Sequence, residues 1–212
     1  MPSVSSLRAA LVAIVEREVR CPRVLAAMRA VPRHLFIPEH PLAEAYADRP
    51  LPIGHDVTIS QPTVVGMMSE ALELDGTQRV LEVGTGSGYQ AAVLSRLAAT
   101  VDTLELVPEL AERAHRALVA TGCTNVQVHV GDGWAGLPER APYDRIVVTA
   151  APDHLPEALV AQLAEGGLLV VPVGPQARDQ RLERHRKQGG ELVCEDLCTV
   201  RFVPMIHRRS LT

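Results

Sequence analysis

Residues 80–88 read Val-Leu-Glu-Val-Gly-Thr-Gly-Ser-Gly, a short apolar run that breaks into alternating glycines. An apolar run of that length is a buried strand, and the glycines force a sharp turn out of it. Glycine at such a turn also lets a ligand approach the main chain. The sequence after it keeps to the same grammar. Strands are expected at 79–83, 101–106, 126–130, 143–149 and 168–173, and helices at 90–99, 108–120 and 155–164. Short apolar strands alternating with helices predict an α/β fold with a mostly parallel, doubly wound sheet. Residues 180–187 and 191–203 flank Gln188-Gly189-Gly190, a hairpin signal, so the sheet is expected to end in antiparallel strands.

The first 50 residues differ. Leu7, Leu11, Ile14 and Val15 form an amphipathic stripe after Ser5 and Ser6, read as caps, and Pro22 suits the start of a second helix over 24–31. Prolines at 32, 38, 41, 50 and 52 then break regular structure. The expectation is one domain over 1–212, with a helical N-terminal cap and substrate segment at 1–60 and a cofactor-binding core at 61–212.

Three features at the carboxyl ends of successive strands point to a nucleotide-like ligand. The glycine turn is the first. Its spacing is G-x-G-x-G, because Tyr89 stands where the dinucleotide fingerprint moves toward its third glycine. Glu105 at the tip of the next strand can accept both ribose hydroxyl protons. Gly131-Asp132-Gly133 follows the third strand, where Asp132 can accept from an adenine amino group, or simply make an Asx turn. The spacing disfavours a nicotinamide dehydrogenase. It matches the form found in methyltransferases that bind S-adenosylmethionine.

Composition narrows the partners. Aromatic residues are 3% of the chain and the formal net charge is −4, with a sequence pI near 6.1, which argues against a nucleic-acid partner. No run is long and apolar enough for a membrane span, and no secretion signal is read before Glu16. Cys21, Cys123, Cys194 and Cys198 are expected as reduced thiols of a cytoplasmic protein. On a regular strand Cys194 and Cys198 would share a face roughly 13 Å apart. The histidines show no H-x-x-x-H or H-x-H spacing, so no metal site is expected.

Several strings resemble the protein-L-isoaspartate O-methyltransferase family. Val31-Pro32-Arg33-His34-Leu35-Phe36, Pro52-Ile53-Gly54 and Thr58-Ile59-Ser60-Gln61-Pro62 are similar to its N-terminal motifs. Residues 82–92, including Tyr89-Gln90, resemble its cofactor loop, and Gly131-Asp132-Gly133, Val148-Thr149-Ala150-Ala151 and Arg201-Phe202-Val203-Pro204 continue the likeness. It spans roughly residues 22–206. The resemblance implies a Rossmann-like fold and transfer of a methyl group from S-adenosylmethionine to the α-carboxylate of L-isoaspartyl residues in damaged proteins. The ester then re-forms a succinimide, which starts repair. It also implies a cytoplasmic monomer.

By resemblance Ser60 is the active-site residue, and Thr58, Ser60 and Val203 meet the substrate. The cofactor set implied is Thr58, Ile59, Glu82, Gly84, Thr85, Gly86, Ser87, Gly88, Glu105, Leu106, Gly131, Asp132 and Gly133. Physically, a neutral hydroxyl can orient a carboxylate without pinning it. Ser60 also fits as the N-cap of the helical stretch 64–72, and both roles can hold. Arg33 and His34 read either as basic groups near the substrate or as exposed polar residues. Arg181, Arg184, His185, Arg186 and Lys187 read as a solvated edge strand, and Arg208-Arg209 as a polar tail.

The match departs at one loop. Bacterial members usually carry Gly-Gln before Thr-Ile-Ser-Gln-Pro, where this chain has Asp56-Val57, and Thr63 stands where an aromatic is common. At about 4 Å and an effective dielectric near 20, Asp56 would repel a substrate carboxylate by up to ~4 kcal/mol. Losing the glycine also removes easy access to positive φ. Three alternatives therefore stand beside the repair enzyme. They are methylation of another peptide carboxylate, of RNA or a small molecule, or a cofactor-binding module without transfer.

Overall fold

The computed structural model describes residues 3–176 and 178–207, so Arg208-Arg209 lie outside the described residues. The N-terminal cap comprises α1 (Val4–Val15), α2 (Pro22–Ala30) and the short α3 (Leu42–Ala45). The Ser3 hydroxyl accepts from Ser6 N at 3.1 Å and caps α1. Ser5 and Ser6 lie inside the first turn, which corrects the expectation that they cap it. Leu11, Val12 and Val15 are buried, whereas Ile14 is 38% exposed beside that stripe. Pro22 opens α2 as the sequence suggests.

Pro50 and Pro52 do not keep residues 51–59 irregular. The segment forms a two-stranded antiparallel hairpin, β1 (Leu51–Gly54) with β2 (Val57–Ile59). A strand with no further partner tolerates Pro52, since no ladder hydrogen bond is lost on its open edge. The connecting residues His55 and Asp56 have φ 53° and 56°. Both sit in the left-handed region without glycine, and Asp tolerates it better than most residues.

The main sheet has the order β5-β4-β3-β6-β7-β8-β9. Its strands are β3 (Arg79–Val83), β4 (Thr100–Glu105), β5 (Val126–Val130), β6 (Tyr143–Val148), β7 (Leu163–Val173), β8 (Gln180–Gln188) and β9 (Glu191–Val200). β5 through β7 pair in parallel, and β8 and β9 add antiparallel. The intervening helices are α4 (Pro62–Ala71), α5 (Tyr89–Leu94), α6 (Pro108–Ala120) and α7 (Glu157–Gln162). The chain winds from β3 outward to β5, then returns to β6 on the other side of β3. Ligands bind at such a reversal, beyond the carboxyl ends of the strands.

Alternation along the strands divides the core into two layers. Val80, Val101, Val147 and Val170 pack under α1, α2, α4 and α5. Leu81, Ile146, Val148, Leu169 and Val171 pack on the opposite face with Leu159 of α7. Burial on both faces explains why these strands read as continuous apolar runs. β7 begins earlier than expected, at Leu163. A register shift between Tyr143↔Leu163 and Arg145↔Leu168 absorbs Gly166-Gly167. That pairing also shortens α7 at its C-terminal end.

Two expectations about the last strands change. β8 is not an edge: it lies between β7 and β9. His185 is buried, and Arg184 and Arg186 both bind Glu73. A bulge in β9 pairs Leu182 with Cys198 but Glu183 with Asp196. One extra residue reverses the facing of everything beyond it. Cys194 therefore faces the α7 side with His185, and Cys198 faces the other layer beside Leu182. All four cysteines are unpaired. Among the described residues no helix is long and apolar enough to cross a membrane.

Candidate active site

The glycine turn leaves β3 at the sheet reversal. Gly84 has φ 100°, and a Cβ there would collide with Thr149 Oγ1 at the end of β6. Thr149 donates to the carbonyls of Val83 (3.1 Å) and Gly84 (2.5 Å), which ties the turn to the neighbouring strand. Gly88 lets α5 lie close to α6, because a Cβ there would come 3.2 Å from Ala114. The turn is thereby fixed between β3, β6 and α6 before any ligand arrives.

Two carboxylates flank it. Glu105 at the tip of β4 accepts from Gly86 N at 2.7 Å and from Val107 N at 3.1 Å. These two amides hold its oxygens at the cavity wall with lone pairs remaining. Glu82 is fully buried, and its Oε2 accepts from Thr103 Oγ1 at 2.6 Å. Thr103 shares a further 2.6 Å hydrogen bond with Thr85, while Glu82 Oε1 has no partner among the described residues. Burial pushes the Glu82 carboxyl up to about 8; the Thr103 hydrogen bond opposes this and the Glu105 charge adds to it.

A cavity of about 630 Å³ opens above the turn. Of the residues expected from sequence, Thr58, Ile59, Ser60, Glu82, Gly84, Thr85, Gly86, Ser87, Glu105, Leu106, Gly133 and Val203 line it. Gly88, Gly131 and Asp132 do not line it. A Cβ at Gly131 would come 2.9 Å from Leu104, so its smallness serves packing beneath the wall. Asp132 accepts from Trp134 N at 3.0 Å, the Asx-turn role, and lies 3.5 Å from His207 Nδ1. Ser87 Oγ accepts from Tyr89 N at 3.3 Å.

The cavity's outer walls were less legible. Pro204 and Met205 belong to a C-terminal strap held by reciprocal 2.8 Å hydrogen bonds, Ala151 N to Val203 O and Met205 N to Ala151 O. Thr149 and Val107 also line it. None carried a local chemical signal, although Thr149 and Pro204 fall in strings that resemble family motifs.

Ser60 sits between β2 and α4 and lines this cavity and a second one of about 450 Å³. The second cavity is walled by Pro50, Val64, Thr199, Arg201 and Phe202, and shares Thr58, Thr149 and Val203 with the first. Ser60 is not the helix cap. The N-cap of α4 is Gln61, which makes no side-chain cap bond. Asp48 serves instead, from a distant segment. It accepts from Thr63 N (2.8 Å), Thr63 Oγ1 (2.7 Å) and Gln61 Nε2 (2.9 Å). The Asp48 segment is held in turn by Arg33, which donates to Ala45 O (3.0 Å) and Arg49 O (3.4 Å). Arg33 is fully buried and lies 4.9 Å over the Tyr89 ring, so neither an exposed nor a substrate-facing role fits it. Burial pulls its guanidinium down to about 10. His34 is half-buried and bonded to Tyr46 Oη at 2.8 Å.

This chemistry suits a ligand with a ribose for Glu105 and a polar, partly cationic end near the glycine turn and Glu82. S-adenosylmethionine fits that description. The family model described as protein-L-isoaspartate(D-aspartate) O-methyltransferase matches residues 8–210. A protein-L-isoaspartate O-methyltransferase of Gloeobacter violaceus is 52% identical over 91% of this chain and 94% of its own length. One from Roseiflexus sp. is 52% identical over 97% of this chain and 94% of its own. A solved protein-L-isoaspartate O-methyltransferase superposes with TM-score 0.87 at 33% identity, covering 95% of this chain and 66% of that longer chain. A Plasmodium falciparum structure in complex with S-adenosyl-L-homocysteine superposes with TM-score 0.82 at 26% identity, over 94% of this chain and 98% of that one. The chain belongs to the protein-L-isoaspartate(D-aspartate) O-methyltransferase family.

Proposed function

We propose that this chain methylates the α-carboxylate of L-isoaspartyl residues in proteins, with S-adenosylmethionine in the larger cavity and the peptide in the smaller one. The observation that carries the reading is the junction: Ser60 and Thr58 line both cavities. The cofactor supplies an electrophilic methyl group on a sulfonium. Everything else falls to the chain's own residues.

Glu105, already oriented by two amides, would accept the ribose hydroxyls. Gly84, Gly86, Thr85 and Ser87 would shape the turn around the polar end of the ligand, and Leu106 and Gly133 would flank the base. The Ser60 hydroxyl would orient the incoming carboxylate, with Thr58 and Val203 beside it. That carboxylate is ionised near neutral pH and needs no general base. Positioning is therefore the main contribution, and an apolar wall such as Ile59 and Val203 limits how strongly the nucleophile is solvated. The ester formed is a better leaving group than a carboxylate, so closure to a succinimide follows without further help from the protein.

Purified protein should methylate an isoaspartyl peptide and not the matched aspartyl peptide. Equal activity on both, or none on either, rejects the reading. Ser60→Ala should lower kcat by about 10- to 100-fold while leaving cofactor affinity in place, because only a positioning contact is lost.

A further inference from the structure

On the α7 side of the sheet, well away from the glycine turn, three side chains of different chemistry converge. Glu183 and His185 are two residues apart on β8, so they share a face, and Cys194 of β9 is the direct cross-strand partner of His185. His185 Nε2–H donates to Glu183 Oε2 at 2.8 Å, and Cys194 Sγ lies 3.9 Å from the same nitrogen. The ligand atoms of all three fall within 4.8 Å of one another. His185 is buried, Glu183 is intermediate, and Cys194 opens the group to solvent.

We propose that Glu183, His185 and Cys194 form a zinc-binding site, separate from the methyl-transfer site, with water completing the tetrahedron. Zinc bound at about 2.0 Å to nitrogen or oxygen and about 2.3 Å to sulfur places tetrahedral donors roughly 3.3–3.6 Å apart. The separations of 2.8 and 3.9 Å bracket that spacing, so side-chain rotation suffices. A thiolate, an imidazole and one carboxylate select zinc over magnesium or calcium, which prefer all-oxygen shells. On binding, the neutral imidazole carries its single proton on Nδ1, so that Nε2 gives up its hydrogen bond to Glu183 and offers its lone pair to the metal. The Cys194 thiol loses its proton.

The neighbours on this face are already committed. Arg181 pairs with Asp196, and Lys187 donates to the carbonyls of Val160 and Leu163. Histidine spacing alone does not reveal the group, because its ligands come as Glu-x-His on one strand and Cys on the next. The bulge in β9 lies beyond Cys194 and leaves this register intact.

The test is a titration of untagged, reduced protein with Zn²⁺ against a chromogenic chelator, repeated with Co²⁺ to read ligand type. The proposal expects one equivalent of zinc, and a Co²⁺ complex with a thiolate charge-transfer band and tetrahedral d–d absorption. Cys194→Ser and Glu183→Gln should each weaken binding about tenfold or more, and Cys198→Ser should leave it unchanged. Both test positions are partly open to solvent, so the variants should keep the parent's melting temperature without metal. Unchanged zinc affinity in Cys194→Ser, a Co²⁺ spectrum lacking the thiolate band, or loss of binding in Cys198→Ser overturns the proposal.

Discussion

Asp48 is the residue whose removal tests the architecture of the substrate side most directly. Its carboxylate supplies the missing N-cap of α4 through Thr63 N, and it binds the side chains of Thr63 and Gln61 on either side of Pro62. Asp48→Ala removes a helix cap, about 1 kcal/mol, and two further hydrogen bonds at about 1 kcal/mol each. The sum of about 3 kcal/mol should lower Tm by roughly 6–12 °C in a chain of this size. Thr63→Val deletes only the hydroxyl contact and should cost about 1 kcal/mol. In a double-mutant cycle the two effects should be less than additive, since they share a bond. The helix start carries Gln61, so its loosening should displace Ser60. A shift of about 1 Å can cost on the order of a hundredfold in rate. The loss should appear mainly in kcat for an isoaspartyl peptide, with S-adenosylmethionine affinity changed far less, because β3 and β4 are untouched and only the Thr58–Ser60 wall of the larger cavity moves. Thermal melts, cofactor titration and steady-state kinetics separate these outcomes. An Asp48→Ala protein that melts and turns over like the parent would refute the capping argument; one that loses cofactor binding in step with activity would refute the division between the two cavities.

Other perturbations follow from the same geometry. Glu105→Gln keeps the volume but loses the charge and one of the two acceptors bonded to Gly86 N and Val107 N, and should weaken cofactor binding by about 1.5–3 kcal/mol in calorimetry and lower stability by about 1 kcal/mol. Glu82 is raised from 4.5 to about 8 in the folded chain. Its contribution to stability is therefore full below about 4.5 and lost as pH rises through about 8, so the stability of the parent relative to Glu82→Gln should fall across that window in pH-dependent melts. Asp56→Gly removes a non-glycine residue from φ 56° and should stabilise the ligand-free protein by about 1 kcal/mol, read by denaturant unfolding.

The sheet was legible because its signals are local. Strand 168–173 is a short apolar run, 126–130 alternates valine with polar residues as an edge strand does, and the glycine turn announces its own geometry. The parts that escaped depend on distant partners. Pro52 argues against a strand unless the strand has an open edge, which only the folded hairpin provides. Asp48 gives no sign of capping a helix that starts 14 residues later, although Pro62 without a Ser, Thr, Asp or Asn immediately before it hints that the cap comes from elsewhere. Arg33 reads either as a base near the substrate or as an exposed polar residue, yet it is buried over Tyr89. The basic run in β8 reads as an edge because its neutralising partners, Glu73, Glu195 and Asp196, lie just beyond the end of α4 and on the outer strand β9.

The two sides of the site are built by different physics, and this bears on the Asp56 departure. Donor-side groups hang on the central strands β3 and β4 and are fixed by main-chain amides. Substrate-side groups stand on a two-stranded hairpin, a trans-capped helix start and a C-terminal strap. Variation is cheaper on the second set, and the departure from the usual family sequence falls there. Asp56 occupies the exposed tip of the hairpin, with φ still in the left-handed region that the usual glycine would favour. The backbone path is thus retained at the cost of strain. A charge at an exposed tip is screened by water and salt, so its repulsion of a substrate carboxylate falls well below the ~4 kcal/mol upper figure. What remains is a weak field at the rim of the cavity. Asp56 lines the larger cavity and not the smaller one, so on the proposed division its residual field acts beside the cofactor and on peptide residues that pass the hairpin tip, while a carboxylate positioned by Ser60 would lie outside its reach.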